Sequence, residues 1–541
     1  MMKKINKLVI YGLAISLFST LNSCESPLKD FNLQVSTEVI KHNITLKVAD
    51  PEGQNIPGVS ISLASGDIQD IYNLKGKKEF KFIDNLITLG LTPNRIPNSE
   101  RPIRFRVKLT ANGYTSQTVP VAITDASSGI QTIILSKPLV IPVGVKELID
   151  NLELDKKGSI SKLTTINIPS AQGIGNMTMT IPSGTQFLDD AGNIITGNSL
   201  QVTVSNIDGN INEATRLLPG GTLRADQVIL KDGRTASGTF SPIAVAKVKM
   251  LVNATEVKKF SKAIMVQMPV SAKHISPISG ETLTAGKSFQ IFSYSADETW
   301  RYEQNSSVSG SAAKGYSINF PISHLSYFLA GEFGEACTSA RVIKFSGDWM
   351  ANGSTYPIQV DAIWGGKVIF SNQYSINQSN NSISLMDVPT NDVTFVVKNS
   401  SGRFLAEGAL EPCGHSTNMI LPNPGEVTEA ISTLQLYVRC PNKTSVITLL
   451  PTFQMFYRIS GTTNYKFLGT VGNGFLRTTL LKTDGTKYDF KAIWNDRIKI
   501  VNGKTVKKDN TATVGTLPGN LIGTMDGATN LAILKEECDK L

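Results

Sequence analysis

Alternation constrains this chain most. In Asn43-Ile44-Thr45-Leu46-Lys47-Val48 every second side chain is apolar, and the same holds for Val59-Ser60-Ile61-Ser62-Leu63 and Arg104-Phe105-Arg106-Val107-Lys108-Leu109. Successive residues of a strand face opposite sides, so a period of two calls for strands with one face buried. The first two runs are separated by Asp50-Pro51-Glu52-Gly53-Gln54-Asn55-Ile56-Pro57-Gly58, a stretch dense in turn formers. Similar runs recur at 247–252, 264–268, 434–438 and 455–459, and Asn352-Gly353, Gly365-Gly366, Asn473-Gly474, Asp484-Gly485, Asn502-Gly503 and Asp526-Gly527 punctuate the chain as turns. A mainly β fold follows. Only a helix at Val145 to Leu154 and short helical pieces near Ala254–Ile264 and the C-terminus interrupt it. At 541 residues the chain has room for three to five domains.

The order of strand, D-x-x-G-x-x-I-P-G turn, strand, then Gly113-Tyr114 and a closing strand resembles the carboxypeptidase-regulatory-like and Ig-like modules of Bacteroidota surface proteins. It covers residues 38–137. The resemblance implies a small β-sandwich and no activity. Residues 138–334 carry Thr180-Ile181-Pro182-Ser183-Gly184-Thr185, Asp189-Asp190-Ala191-Gly192-Asn193 and Ile195-Thr196-Gly197, an order similar to ZU5-like β-domains. A new module starts after Gly331 and Gly334. In 335–425, Ser384-Leu385-Met386-Asp387-Val388-Pro389 followed by Val393-Thr394-Phe395-Val396-Val397 again resembles the carboxypeptidase-regulatory-like pattern, and 426–541 form a last β-module. The expected fold is a tandem of Ig-like/carboxypeptidase-regulatory-like β-sandwich modules behind a lipoprotein signal peptide.

That signal is residues 1–23. Lys3, Lys4 and Lys7 precede an apolar run from Leu8 to Leu21, too short to span the roughly 30 Å of a bilayer core. It ends in Leu21-Asn22-Ser23-Cys24, which resembles the lipobox of bacterial lipoproteins, with Asn22 the less usual residue. The resemblance implies cleavage before Cys24 and lipidation of that cysteine, with several acyl chains because one holds only marginally. The alternative is an ordinary secretory signal with a chance cysteine. Residues 24–37 read as a lipidated tether, and Glu25 and Asp30 are a thin version of an acidic surface-export signal. The expected location is the outer membrane, lipid-anchored, on the cell surface, with the periplasmic face as alternative. The net charge of +9 falls to +6 once the three signal lysines are gone, and the basic residues are scattered, so nucleic acid is not an expected partner.

Beyond Cys24 the cysteines are Cys337, Cys413, Cys440 and Cys538. Four cysteines in an exported chain suggest two disulfides with three open connectivities, of which Cys337–Cys413 with Cys440–Cys538 brackets one module each. Free buried thiols are the alternative. With no CxxC spacing, no zinc site is expected. His42, His274, His324 and His415 lack metal or zincin spacing, and His324 reads as an ordinary sheet histidine. The Cys413-Gly414-His415 turn does not hold a thiol and imidazole side-on, and the acid pairs Asp189-Asp190 and Glu536-Glu537 point to opposite faces of a strand. No nucleophile elbow, phosphate loop or dinucleotide fingerprint occurs. Asp189, Asp190 and Asn193, and Asp208-Gly209-Asn210, could offer oxygen to calcium but read better as Asx turns. Trp300, Trp349, Trp364 and Trp494 could stack on sugars, but core packing alone calls for one such residue per sandwich.

No catalytic residue, metal or cofactor is therefore expected. The preferred reading is a non-enzymatic outer-membrane lipoprotein that binds a partner or holds a place in a cell-envelope assembly. A carbohydrate-binding accessory lipoprotein and a hydrolase with an unrecognised site are the alternatives. The expected partners are the membrane, through the lipid, and an outer-membrane protein or a glycan.

Overall fold

The computed structural model describes residues 33–36, 40–124, 129–137, 141, 143–170, 175–425, 431–440, 447–494 and 497–514. Nearly all of them lie in strands or the turns between them. The alternating runs become strands as expected: Asn43–Ala49, Ser60–Gly66 and Ile103–Thr110 pack their apolar faces into one core with Leu46, Val48, Val107 and Leu109 fully buried. Each such side chain stabilises by about 1.5–3 kcal/mol through removal from water. The resulting sandwich has one sheet of Ser60–Gly66, Ile103–Thr110 and Gln117–Ile123 and a second built around Asn43–Ala49, which pairs antiparallel with Leu86–Leu91 and parallel with Ile130–Ile134.

The central region is organised by the 18-residue strand Thr235–Val252, which pairs with Ser199–Ile207 on one side and Tyr327–Glu335 on the other. Two expectations fail here. Val145–Glu153 is a strand, not a helix: all nine residues pair in register with Ser199–Ile207. The helical spacing of Val145, Leu148, Ile149 and Leu152 is overridden by an open sheet edge, at the cost of leaving Ile149 57% exposed. The stretch near Ala254–Ile264 is also extended. Asn253 and Ala254, both at positive φ, turn the long strand back into Lys259–Val270.

The third module has a three-stranded sheet, Ser382–Leu385, Arg341–Ser346 and Ser416–Ile420, facing a second built on the Tyr356–Trp364/Lys367–Ile376 hairpin. Gly365-Gly366 makes that hairpin, with φ 58° and 74°. Asn352-Gly353 is no hairpin, because Gly353 ends the 3₁₀ turn Asp348–Asn352. Asn502-Gly503 sits inside the strand Arg497–Thr505, where the register with Lys487–Trp494 shifts. Cys337 and Cys413 are disulfide-bonded across a separation of 76 residues.

These sandwiches are tandem in sequence but interlocked in space. Ile130–Ile134 of the first module pairs antiparallel with Lys367–Ile376 of the third, so one eight-stranded sheet runs through both. Gly129 stands at this junction with φ 65°, where a Cβ would meet the Gln373 carbonyl oxygen at 2.3 Å. The central and third modules share one hydrophobic cluster, from Phe240 and Phe292 to Val360 and Trp364. Gly331 and Gly334, after which a new module is expected to start, lie within the strand Tyr327–Glu335, and a Cβ on Gly334 would sit 2.7 Å from the Trp364 ring. Leu86 and Ile130 pack with Phe456, Phe467 and Ile493 of the last module. The stretch read as tether is partly structural: Leu33–Ser36 lies parallel to Ile447–Leu450 in the C-terminal sheet. Among the described residues no helix is long and apolar enough to cross a membrane.

Candidate functional site

The polar face of Ile103–Thr110 is only partly open to water: Lys108 is exposed, but Arg106 is buried and Arg104 half-buried. Arg104 and Arg106, two apart and hence on one face, both reach into neighbouring modules. Arg106 donates to both Asp226 oxygens at 2.9 and 2.6 Å and to the Glu298 carbonyl oxygen at 3.1 Å, and Thr118 donates to the Glu298 carboxylate at 2.8 Å. The Asp226 hydrogen bonds raise the Arg106 pKa, outweighing the opposing effect of burial. Arg104 donates to Asp387 of the third module at 2.6 Å. Lys491 of the last module is paired with Asp84 of the first. Glu298, Asp387 and Asp84 all have positive φ, at 62°, 58° and 51°. Non-glycine residues rarely adopt that region, and such strain persists only where surrounding contacts hold it. Three of the four acids at these contacts thus sit at strained turns, and the fourth, Asp226, lies in the strand Arg224–Ile229.

A second polar cluster lies between the central and third modules. Lys367 is 5% exposed, and its Nζ donates to the Pro242 carbonyl oxygen at 2.5 Å. Burial pushes its pKa down to about 7, against the opposing pull of Asp208 and Glu332. His274, also buried, has its Nε2 3.6 Å from a Glu332 oxygen, beyond hydrogen-bond reach for either atom. The other Glu332 oxygen accepts from Ser276 at 2.5 Å. Burial lowers the His274 pKa. Burial would raise the Glu332 carboxyl, but His274 and Ser276 beside it hold it below the usual range. Lysine, histidine and glutamate with displaced pKa values often mark a site of chemistry. Here they sit where two modules meet: a Cβ on Gly365, at the tip of the hairpin that delivers Lys367, would touch Pro277 at 2.9 Å.

The residues singled out from sequence fare unevenly. Cys413 is oxidised and half-buried and His415 is exposed in the Pro412–His415 turn, so they form no nucleophile–base couple. His324 lies 3.7 Å from Glu303 and rests on Phe328. Asp189 accepts from the Asn193 backbone at 2.8 Å and side chain at 3.1 Å, and Asp208 accepts from the Asn210 backbone at 2.9 Å, as Asx turns do. Trp300, Trp349 and Trp364 are all in the core, which removes them as sugar platforms, and Trp494 is half-buried. Among the described residues no group of three or more His, Cys, Asp or Glu could hold a metal ion. Cys24, Cys538, Glu536-Glu537, Asp526-Gly527 and the side chain of Cys440 lie outside the described residues.

Three large clefts open among the described residues, and one of them is lined almost wholly by uncharged side chains. It lies where the first, third and last modules converge and encloses about 1480 Å³ including its mouth. Thr45 and Thr88 share a hydrogen bond at 2.9 Å on one wall, and Gln454 from the last module donates to Thr45 at 2.5 Å. Opposite, Ser375 accepts from the Thr470 backbone at 2.9 Å. Sequence reasoning could not find this cleft, because its walls come from segments more than 400 residues apart.

No protein-family model matches the chain, and no curated protein matches it. Among solved structures it is similar to the TIE protein of Bacillus anthracis, at 9% identity over 71% of this chain and 76% of that one with a TM-score of 0.12. It is similar also to BcpA, the major pilin subunit of Bacillus cereus, at 9% identity over 88% and 99% with a TM-score of 0.12. At such TM-scores neither likeness carries an argument about this chain.

Proposed function

We propose that the protein is a non-enzymatic lipoprotein of the outer membrane, of the Bacteroidota surface type, anchored through Cys24 and acting as a binding or scaffold component of a cell-envelope assembly. The observation that carries this reading is the interlocking of the modules. A sheet continuous through two of them, a hydrophobic cluster shared by two and charged seams between modules suit a chain that presents one fixed surface. A flexible arm would need none of these. The anchor reading adds a position. Nine residue steps separate Cys24 from Leu33, a reach of at most about 30 Å, so a lipid on Cys24 would hold the C-terminal module near the bilayer.

The test is a mild-detergent pull-down of the tagged protein from native outer membranes, with Cys24→Ala as control and mass spectrometry as readout. Stoichiometric recovery of an outer-membrane barrel or a second lipoprotein, lost in the control, is the expected result. Recovery of the protein alone would sink the assembly reading.

A further inference from the structure

We propose that the cleft between the first, third and last modules is a binding site for a neutral oligosaccharide chain. The inference deepens the binding reading by naming a ligand class, and it does not depend on the anchor.

The lining chemistry selects the ligand. Twelve of the twenty-three lining residues carry an amide or hydroxyl side chain, and Lys41, at the exposed rim, carries the one fixed charge. With no carboxylate in the wall the cleft does not suit a cation, and with no cluster of Arg and Lys it does not suit a phosphate or an acidic chain. Amides and hydroxyls both donate and accept, which matches the hydroxyls of a sugar. Two other large crevices differ: one, between the first and central modules, holds Lys108, Lys137, Arg216 and Lys247 beside Glu147 and Glu298, and the other holds Arg216 and Arg224 beside Glu213 and Asp361.

Part of this capacity is unspent. Gln373 and His42 line the cleft, and neither side chain is hydrogen-bonded to another described residue. Buried polar groups in folded chains are almost always paired, so half-buried amides and imidazoles left open in a recess are available to a ligand. Half-buried Phe453, with Leu74 and Ile87 also in the wall, gives an apolar face for the C–H side of a pyranose ring. The enclosed room of about 370 Å³ lies within the roughly 300–1,000 Å³ of a small-molecule pocket, and the open mouth leaves a longer chain free to run out on either side. All three walls are needed: Gln373 comes from the third module, Thr88 and His42 from the first, Phe453 and Gln454 from the last.

The experiment is calorimetric titration of the purified full chain carrying Cys24→Ala. The probes are linear neutral hexasaccharides derived from glucan, xylan, mannan and chitin, with a uronic-acid hexasaccharide and a neutral Asn/Ser-rich peptide beside them. We expect at least one neutral hexasaccharide to bind. Gln373→Ala and Phe453→Ala should each weaken it by about tenfold or more, and the exposed Lys314→Ala should leave it unchanged. Ser379→Trp, at the exposed mouth, keeps the test alive if Phe453→Ala does not fold, and should block binding without lowering the melting temperature. Binding to no neutral saccharide, preference for the uronic acid or the peptide, or binding indifferent to the cleft variants would each overturn the proposal. Because partner capture is read in membranes and saccharide binding in solution, failure of one is distinguishable from failure of the other.

Discussion

Lys367 is a lysine carried into the interior between two modules. Its pKa of about 7 in the folded chain compares with 10.5 in an ordinary one. Between those values the unfolded chain holds a proton that the folded chain has released, so stability rises with pH across that window, by up to about 1.4 kcal/mol per unit. Below about pH 7 both states hold the proton and this group adds no slope. Urea unfolding of wild type and Lys367→Met between pH 7 and 10 should show that slope in the first and its loss in the second. Equal slopes would mean that Lys367 is solvated. Arg106 makes a complementary case. Arg106→Ala leaves Asp226 partly buried without its partner and should cost about 3 kcal/mol, whereas replacing both Arg106 with Met and Asp226 with Leu should cost much less. Denaturation midpoints of the two variants measure the difference. Neither role was legible in the sequence. Lys367 follows a Gly-Gly turn like any solvent-facing lysine, and alternation shows only that Arg104 and Arg106 share a face, not that this face meets two other modules.

At the scale of elements, the sequence speaks clearly where one face is apolar and the pairing is local. Asn43–Ala49 and Ile103–Thr110 are plain in it. It misleads at Val145–Glu153, where helical spacing lost to the pull of an unpaired neighbour, and at Gly334, where a glycine that looks like a boundary is a packing contact. Gly334→Ala should push Trp364 away from the central sheet and destabilise by about 1–3 kcal/mol, read as a lower melting temperature. An unchanged value would show that the seam between these modules yields freely. The Cys337–Cys413 bond crosses 76 residues, so replacing both cysteines with serine should cost about 2–4 kcal/mol through the freedom regained by the unfolded loop. Calorimetric melting under reducing and oxidising conditions checks this without mutation.

For the molecule as a whole, the shared sheet and shared core predict collective behaviour. The chain should scatter X-rays with a radius of gyration near the roughly 24 Å of a compact chain of this length, and far below that of a string of separate modules. A rod-like profile would contradict the interlocking. The cleft also belongs to this scale, since no module contains it, which is why no motif in the sequence marks it. One further consequence follows from the parallel pairing of Leu33–Ser36 with Ile447–Leu450. Leu33–Ser36, the first strand among the described residues, finds this partner only after more than 400 further residues, an interval of about 20–80 s at ordinary elongation rates. Until then it has no ladder to join. The pairing therefore acts as a receipt for completed synthesis: a chain broken off before residue 447 keeps its leading strand unpaired and open to proteolysis or to a neighbour's edge.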